Sequence, residues 1–264
     1  MFCTKALYGN VYRMRSSENI ISEMKEVIEK FHVKDIVFYD DNFSAKRDRV
    51  IELCDSMIKN NIKIKWKCEA RVNLVDRQLL EKMKQAGCYL IAYGVETGNQ
   101  HLLDVLKKGT TLEQIRAAFK ATHAAGIETL AYIMIGIPGE THETIQRTLD
   151  FILEIDPGYV QMGIATPYPM TELYDIAKRK GLIEGRDWSE FSYTGDSATP
   201  VLRTEALSRE ELASELKRLM KAFYMRPKYI MKRLLRTRSF SDLKRNISGM
   251  NLVRDWSKRP DREQ

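Results

Sequence analysis

The chain has 264 residues, of which 44% are apolar and 30% charged, so it is long enough for one large α/β domain or two small ones. It contains no run of about 18 apolar residues and no apolar core near its N-terminus, which argues against a transmembrane helix and a secretory signal. Its net charge of +7 is concentrated in residues 215–264, where 15 Lys and Arg stand against 5 Asp and Glu.

Helical and strand patterns alternate along the chain. Apolar residues at helical spacing predict helices at residues 17–31, 45–60, 77–86, 100–106 and 112–124. Short apolar runs between them predict strands at residues 35–39, 62–68 and 89–93. Residues 129–135 form a continuous apolar run typical of a buried strand, followed by a Gly-Ile-Pro-Gly loop at 136–139 and a helix that Thr141 can cap. A strand at 159–165 and a short helix at 173–180 come next.

Five strands separated by helices predict a parallel sheet, because parallel neighbours need crossover connections of this length. Two α/β architectures fit this pattern, a doubly wound sheet and a barrel-like sheet. No GxGxxG motif follows the first strand, which weakens the dinucleotide-binding alternative and favours the barrel.

Polar residues or glycines follow every predicted strand, and a parallel sheet brings such strand ends to one edge. They are Asp40, Asp41, Glu69, Arg71, Glu96, Gly136, Gly139 and Thr166. Each has a structural explanation of its own, such as helix capping by an aspartate, an ion pair or a plain turn. Together they predict a site for a zwitterion or a ribose. Carboxylates accept hydrogen bonds from an amino group or hydroxyls, whereas Arg71 or Lys108 binds a carboxylate.

Seven segments, in order along the chain, resemble the radical S-adenosylmethionine (SAM) superfamily. They read FCTKALYGNVYRMRSSENI, IVFYDDNF, WKCEARVN, YGVETGNQHLL, KKGTT, IMIGIPGET and TPYPMTELY, and the resemblance covers about residues 1–185. The most similar branch is the one associated with a cobalamin-binding domain, which includes anaerobic cyclases and methyltransferase-like enzymes.

The resemblance implies a partial (β/α)6 barrel, and an enzyme that uses a [4Fe–4S] cluster and SAM. In that family a Cys-x3-Cys-x2-Cys motif holds the cluster, whose open iron binds SAM. Reduction then releases a 5′-deoxyadenosyl radical, which abstracts hydrogen or supports methyl transfer. We therefore expect an electron donor such as a flavodoxin or ferredoxin. Cobalamin is compatible with this branch through an N-terminal domain that the sequence lacks.

By the same resemblance, the cofactor-binding residues are those at the strand ends. Contacts to the methionine part, the ribose or the adenine are implied for Asp40, Asp41, Glu69, Arg71, Glu96, Lys108, Gly136, Gly139 and Thr166. Phe2 and Cys3 match the aromatic residue and third cysteine of the cluster motif, which makes Cys3 the expected metal ligand.

Two positions depart from the family pattern. Only Cys3 represents the three cluster cysteines, because Cys54, Cys68 and Cys88 fall in or near predicted elements and are expected to be buried thiols. One thiolate does not hold a cubane cluster. We therefore expect a truncated gene product or a misassigned start, with the first barrel strand missing and activity impaired. Met170 stands where the family usually has Gly after Pro-Tyr-Pro, which puts the local turn in question.

Residues 186–264 are expected to form a C-terminal loop and basic helical extension after a barrel domain at 1–185. Ser208 and Glu211 predict a capping box that opens a helix at 208–231, which Pro227 interrupts or kinks. Residues 229–236 form a basic amphipathic stretch that either packs against the barrel or touches a membrane. The last dozen residues are expected to be disordered.

The expected function is radical SAM chemistry on a small-molecule or lipid substrate, by hydrogen abstraction or methyl transfer. Four widely spaced cysteines form no disulfide framework, so we expect a cytoplasmic protein, with peripheral membrane contact if the substrate is a lipid. One alternative is a non-catalytic barrel remnant that binds RNA or a membrane surface through its basic tail, although nucleic acid is not the expected partner. Another is a metal-independent lyase, which would need Lys65 or Lys67 as its base.

Overall fold

The computed structural model describes residues 2, 9, 11–185, 187, 190–191, 200–235, 237, 244, 248–249 and 251. Strands and helices alternate in it as the sequence predicts. The strands are β1 (Asp35–Phe38), β2 (Lys65–Ala70), β3 (Cys88–Glu96), β4 (Glu128–Ile135) and β5 (Tyr159–Ile164). The helices are α1 (Ser17–Phe31), α2 (Arg47–Lys59), α3 (Arg77–Gln85), α4 (Gln100–Val105), α5 (Leu112–Ala124), α6 (His142–Ile155), α7 (Glu172–Arg179), α8 (Arg209–Tyr224) and α9 (Pro227–Leu235).

All five strands are parallel and are hydrogen-bonded to one another in chain order, from β1 to β5. Each strand returns through a connection that carries a helix, because a parallel neighbour must start from the same edge of the sheet. A doubly wound sheet reverses its strand order at a switch point, and this sheet does not. The predicted α/β fold with a partial barrel of parallel strands is therefore confirmed.

Side chains along each strand alternate between a face covered by helices and an inner face. On the helix side Trp66 is fully buried, meets Phe38 edge-on at 5.4 Å between ring centroids, and donates a hydrogen bond to the carbonyl of Ala86 at 2.8 Å. The residues that alternate with this apolar set form the inner face. They are Lys65, Lys67 and Glu69 on β2; Leu90, Ala92 and Gly94 on β3; Leu130, Tyr132 and Met134 on β4; and Gln161 and Gly163 on β5.

Strands β1, β4 and β5 differ from their predicted limits by one residue, and β2 and β3 by up to three. The larger differences arise because cross-strand pairing, and not local hydrophobicity, decides where a strand begins and ends. Strand β2 starts at Lys65, opposite Asp35 of β1, and continues to Ala70. Strand β3 continues to Glu96, which pairs with β4 across an irregularity in the register. As a correction to the prediction, Glu69 lies within β2 and on its inner face, not in the loop that follows.

The two C-terminal helices pack against the sheet and against α6. Leu212, Leu219 and Phe223 of α8 are fully buried in the same core as the strands. Pro227 is the first residue of α9, where its missing N–H costs nothing, so the predicted single helix is two helices. Tyr229 of α9 donates to the carbonyl of Gly158 at 3.3 Å.

One side of α9 therefore packs on the barrel, which was one of the two predicted alternatives for this stretch. Met231 and Leu234, on the other side of α9, are exposed. No helix in the described part of the chain is both long enough and apolar enough to cross a bilayer. The boundary between residues 185 and 186 stays a prediction. The last dozen residues, which we expect to be disordered, lie outside the described residues.

Candidate functional site at the strand ends

The end of the central strand, β3, carries a buried ion pair. Glu96 Oε1 lies 2.5 Å from Lys108 Nζ, and the two side chains are only 10% and 14% exposed. Glu96 has a left-handed backbone (φ 66°), which costs a residue other than glycine about 1–2 kcal/mol. Gly94 makes room for the pair, because a Cβ there would lie 2.5 Å from Lys108 Nζ and 2.6 Å from Glu96 Oε1. The strained backbone of Glu96 and the absence of a side chain at Gly94 thus occur at the same place, next to this ion pair.

A chain of hydrogen bonds joins this pair to the neighbouring strand ends. Arg71 Nη2 donates to the carbonyl oxygen of Lys108 at 2.7 Å. The backbone N–H of Arg71 donates to Ser44 Oγ at 3.3 Å, and the Ser44 hydroxyl donates to Asn42 Oδ1 at 2.9 Å. The loops after β1, β2 and β3 are therefore connected from Asn42 to Glu96. Ser44, which is buried, was missed by the sequence analysis, and its only signal was its place four residues after Asp40.

Phe2 extends the site toward β4 and β5. Its ring centroid lies 5.6 Å from Lys108 Nζ, within the range of a cation–π contact. The ring also packs against two apolar clusters, one containing Ile137 and the other containing Ala165. The predicted aromatic residue, Phe2, is thus at the carboxyl ends of the strands. We call this region, which contains Phe2, Glu96 and Lys108, the mouth. Cys3, the predicted metal ligand, lies outside the described residues.

A buried carboxylate holds the glycine loop after β4. Glu140 is fully buried, and its Oε2 accepts hydrogen bonds from the backbone N–H groups of Gly136 and Ile137. Its Oε1 is buried with no hydrogen-bond partner among the described residues. Burial raises the pKa of Glu140 to about 7, against the opposing effect of the two N–H donors. Gly136 and Gly139 are both left-handed (φ 81° and 85°), and a Cβ on Gly139 would meet nothing within 4 Å, so the loop borders open space.

A second polar contact lies on the inner face. Tyr132 Oη donates to Glu69 Oε1 at 2.8 Å. Tyr132 is the register partner of Gly94, and Glu69 is the register partner of Ala92, so the bond crosses β3 over two small residues. Sequence analysis did not select Tyr132, although strand alternation places its hydroxyl on the inner face.

Three predicted residues stand at strand ends without joining this network in the contacts that are resolved. Asp40 Oδ1 lies 3.6 Å from Nη1 of Arg49, whose side chain is 10% exposed, and Asp41 is exposed. The Thr166 hydroxyl donates to the carbonyl of Ile164 at 3.4 Å. A cofactor-binding role for these three stays a prediction.

The other three cysteines, Cys54, Cys68 and Cys88, are buried in the core, as predicted. Burial raises the pKa of Cys54 to about 12 and also raises that of Cys68 well above its ordinary value. Within the described residues, no group of three or more His, Cys, Asp or Glu side chains could hold a metal ion.

A family comparison decides what this arrangement belongs to. Residues 1–152, more than half of the chain, match the model of the radical SAM superfamily. The chain is a member of the radical SAM superfamily. The predicted family is therefore confirmed, and with it an enzyme class that uses a [4Fe–4S] cluster and SAM.

Relatives of this radical SAM chain are methyltransferases and cyclases. An uncharacterised methyltransferase of Pyrococcus horikoshii is 30% identical over 251 residues, which are 95% of this chain and 54% of the relative. The anaerobic magnesium-protoporphyrin IX monomethyl ester cyclase of Cereibacter sphaeroides is 28% identical over 229 residues, covering 85% of this chain and 36% of that enzyme. The chain thus spans about half, or less, of the length of these two relatives.

A solved structure shares the fold of this radical SAM chain. The cobalamin-dependent SAM radical enzyme OxsB, with aqua-cobalamin and SAM bound, has a TM-score of 0.68 and 18% identity, and covers 97% of this chain and 44% of its own. At this identity the likeness shows the fold, and it is consistent with the predicted association with the cobalamin branch. These comparisons give no support to a non-catalytic remnant or to a peripheral membrane contact.

Proposed function

We propose that the mouth binds SAM and that the chain supplies the SAM-cleaving barrel of a radical SAM methyltransferase or cyclase. The observation that carries this proposal is the buried Glu96–Lys108 pair at the end of the central strand. The pair faces the inner side of the sheet at Gly94.

The pair suits the methionine part of SAM because that part is a zwitterion. The amino group of bound SAM can pair with the Glu96 carboxylate, and its carboxylate can pair with the Lys108 ammonium. One ion pair within the protein is then replaced by two ion pairs between protein and ligand. No buried charge is left uncompensated by this exchange, which avoids the several kcal/mol that an unpaired buried ion costs. Arg71 Nη2 donates to the carbonyl oxygen of Lys108 at 2.7 Å. This bond fixes the backbone of Lys108 and so keeps its side chain at the strand ends when SAM binds.

The glycine loop supports a neighbouring place for the adenosine part. Gly139 borders open space, and the half-buried ring of Phe2, which packs against the cluster containing Ile137, supplies apolar surface at the same strand ends. A purine ring can pack on such surface, while the absence of a Cβ on the glycines allows close approach of the backbone.

The cluster is a separate question, because it needs several thiolate ligands. When bound, it would supply the electron that cleaves SAM. The described cysteines do not fit this role, since Cys54 and Cys68 are buried with raised pKa values. Cys3 remains the proposed ligand from the sequence, and we derive no step through the cluster.

The proposed class of reaction follows from the two relatives, which are named as a methyltransferase and a cyclase. We propose methyl transfer or ring closure on a small organic molecule, with a reduced flavodoxin or ferredoxin as electron donor. Asp40, Asp41, Glu69 and Thr166 are proposed as further polar contacts for cofactor or substrate.

Equilibrium dialysis of the chain with SAM tests the proposal. Glu96→Gln and Lys108→Met should each weaken SAM binding by about 10- to 100-fold, since each leaves one buried charge unpaired. Methylthioadenosine, which lacks the amino and carboxylate groups, should bind the two variants and the unaltered chain equally. Glu172→Gln, which removes the exposed ion pair between Glu172 and Lys107, is the matched control and should leave both affinities unchanged.

Absence of SAM binding to the unaltered chain would contradict the proposal. So would variants that lose SAM and methylthioadenosine alike, because the pair would then act on the adenosine or on the fold and not on the zwitterion.

A further inference from the structure

The inner face below the mouth carries one lysine in an apolar surround. Lys67 is half-buried, and its register partners on the neighbouring strands are Val37 and Leu90. Among the described residues, no acceptor lies within hydrogen-bond or ion-pair distance of its ammonium. The lysine next to it on this face, Lys65, has the carboxylate-bearing Asp35 as its partner in register.

Two carboxylates on the same face as Lys67 are already engaged. Glu69, two residues along the same strand, accepts the hydrogen bond of Tyr132 at 2.8 Å. Glu128, the register partner of Leu90 on β4, lies 3.8 Å from the guanidinium of Arg233. Among the described residues, the ammonium of Lys67 therefore has no ion-pair partner, and four apolar residues of the inner face, Val37, Leu90, Ala92 and Leu130, lie around it.

We propose that Lys67 binds a carboxylate of the substrate, whose apolar body lies along the strip formed by Val37, Leu90, Ala92 and Leu130. This inference rests on the proposed function, because it takes the mouth as the place of chemistry and the inner face below it as the substrate side. Apolar contact and one point charge together select an amphiphilic carboxylic acid over a neutral or a cationic molecule.

The position of Lys67 also sets a length for this substrate. Lys67 lies three residues before Ala70, the last residue of β2, and each strand residue advances the chain by about 3.3 Å. The carboxylate and the carbon that reacts at the mouth are therefore separated by roughly 10 Å.

A carboxylate fits this strip better than a phosphate does. Phosphate groups recruit several donors, such as an arginine fork or the backbone N–H groups at a helix N-terminus. Between Val37 and Leu90 the described strand residues provide one ammonium, that of Lys67, and no strand residue of the inner face is an arginine. A monoanion matches that one charge.

Fluorescence titration of the full chain with pyrenebutyrate and with its methyl ester tests the inference without SAM or a cluster. The two probes share an apolar body and differ in charge. The unaltered chain should bind the acid about fivefold more tightly than the ester, as expected for one partly exposed ion pair. Lys67→Met should abolish this preference, and Lys67→Arg should restore it. Lys120→Met, on the exposed outer side of α5, is the matched control and should keep the preference.

Equal binding of acid and ester by the unaltered chain would overturn the inference, as would a preference that persists in Lys67→Met. Circular dichroism of each variant establishes that its fold is retained. Neither result depends on SAM binding, so a negative result in this titration leaves the proposed function intact. Conversely, if the chain prefers the acid but does not bind SAM, the proposed function is contradicted and the carboxylate site is retained.

Discussion

Replacing Glu140 with Gln tests how the glycine loop at the mouth is held. The carboxylate is fully buried and binds the backbone N–H groups of Gly136 and Ile137 through one oxygen. Burial raises the pKa of Glu140 from its ordinary value of 4.5 to about 7. A glutamine keeps a carbonyl oxygen for the two N–H groups and has no charge, so it mimics the protonated acid.

The raised pKa makes the chain less stable as the pH rises. Between the two pKa values the folded chain binds a proton that the unfolded chain does not, so this stabilisation is complete below the unfolded pKa and is lost as the pH rises through about 7. Each pH unit in that window is worth about 1.36 kcal/mol. From pH 5 to pH 8, the loss from Glu140 is about 2.5 kcal/mol of unfolding free energy.

Urea unfolding followed by circular dichroism at pH 5, 6, 7 and 8 measures this effect. The stability of Glu140→Gln relative to the unaltered chain should increase by about 2.5 kcal/mol between pH 5 and pH 8. Glu143→Gln, at an exposed position at the start of the same helix, should change its relative stability by less than about 0.5 kcal/mol. Parallel pH curves for Glu140→Gln and the unaltered chain would refute the reasoning, because Glu140 would then be charged in the folded state.

Three further predictions follow from backbone conformation and charge. Met170→Gly should raise the free energy of unfolding by about 1 kcal/mol in urea unfolding, because Met170 is 66% exposed and left-handed (φ 66°), a conformation that glycine adopts without steric cost. Gly94→Ala should weaken SAM binding at least about tenfold in calorimetry, because its methyl group would displace the Lys108 ammonium. Asp156→Asn should lower the free energy of unfolding by about 1 kcal/mol at pH 7 and by less at pH 3. Burial tends to raise the pKa of Asp156, but three cations, led by Lys232, lower it, so its stabilisation is lost as the pH falls through that lowered pKa.

Each of these predictions has an outcome that contradicts it. Unchanged or reduced stability of Met170→Gly would mean that the turn carries no strain. SAM affinity that is equal in Gly94→Ala and in Gly249→Ala, whose methyl group meets nothing within 4 Å, would remove the ion pair from the binding site. An effect of Asp156→Asn that is the same at pH 3 and pH 7 would show that the surrounding cations contribute nothing.

The strand positions illustrate how far local patterns reach. Helices and strands were predicted in their order because apolar periodicity depends only on neighbours in the chain. The limits of β2 and β3 were wrong by one to three residues, since these limits are decided by pairing with β1 and β4. Glu69 consequently moved from a predicted loop to the inner face, where it meets Tyr132.

Met170 shows what the resemblance contributed. The family pattern indicated glycine at this position, and the left-handed backbone (φ 66°) supplies the physical reason. Ser44 and Tyr132 had no comparable signal. Their importance comes from hydrogen bonds to residues 27 and 63 positions away in the chain.

By itself, the sequence determined the alternation of helices and strands, the parallel sheet, and the set of polar residues at its carboxyl edge. These follow from side-chain periodicity and from connection length, which are local properties. Only the tertiary structure decided that Lys108 pairs with Glu96 over Gly94, that Tyr132 reaches Glu69, and that Lys67 has no ion-pair partner among the described residues. Such contacts depend on strand register and on the sizes of neighbouring side chains, and these are set only when distant segments of the chain pack together.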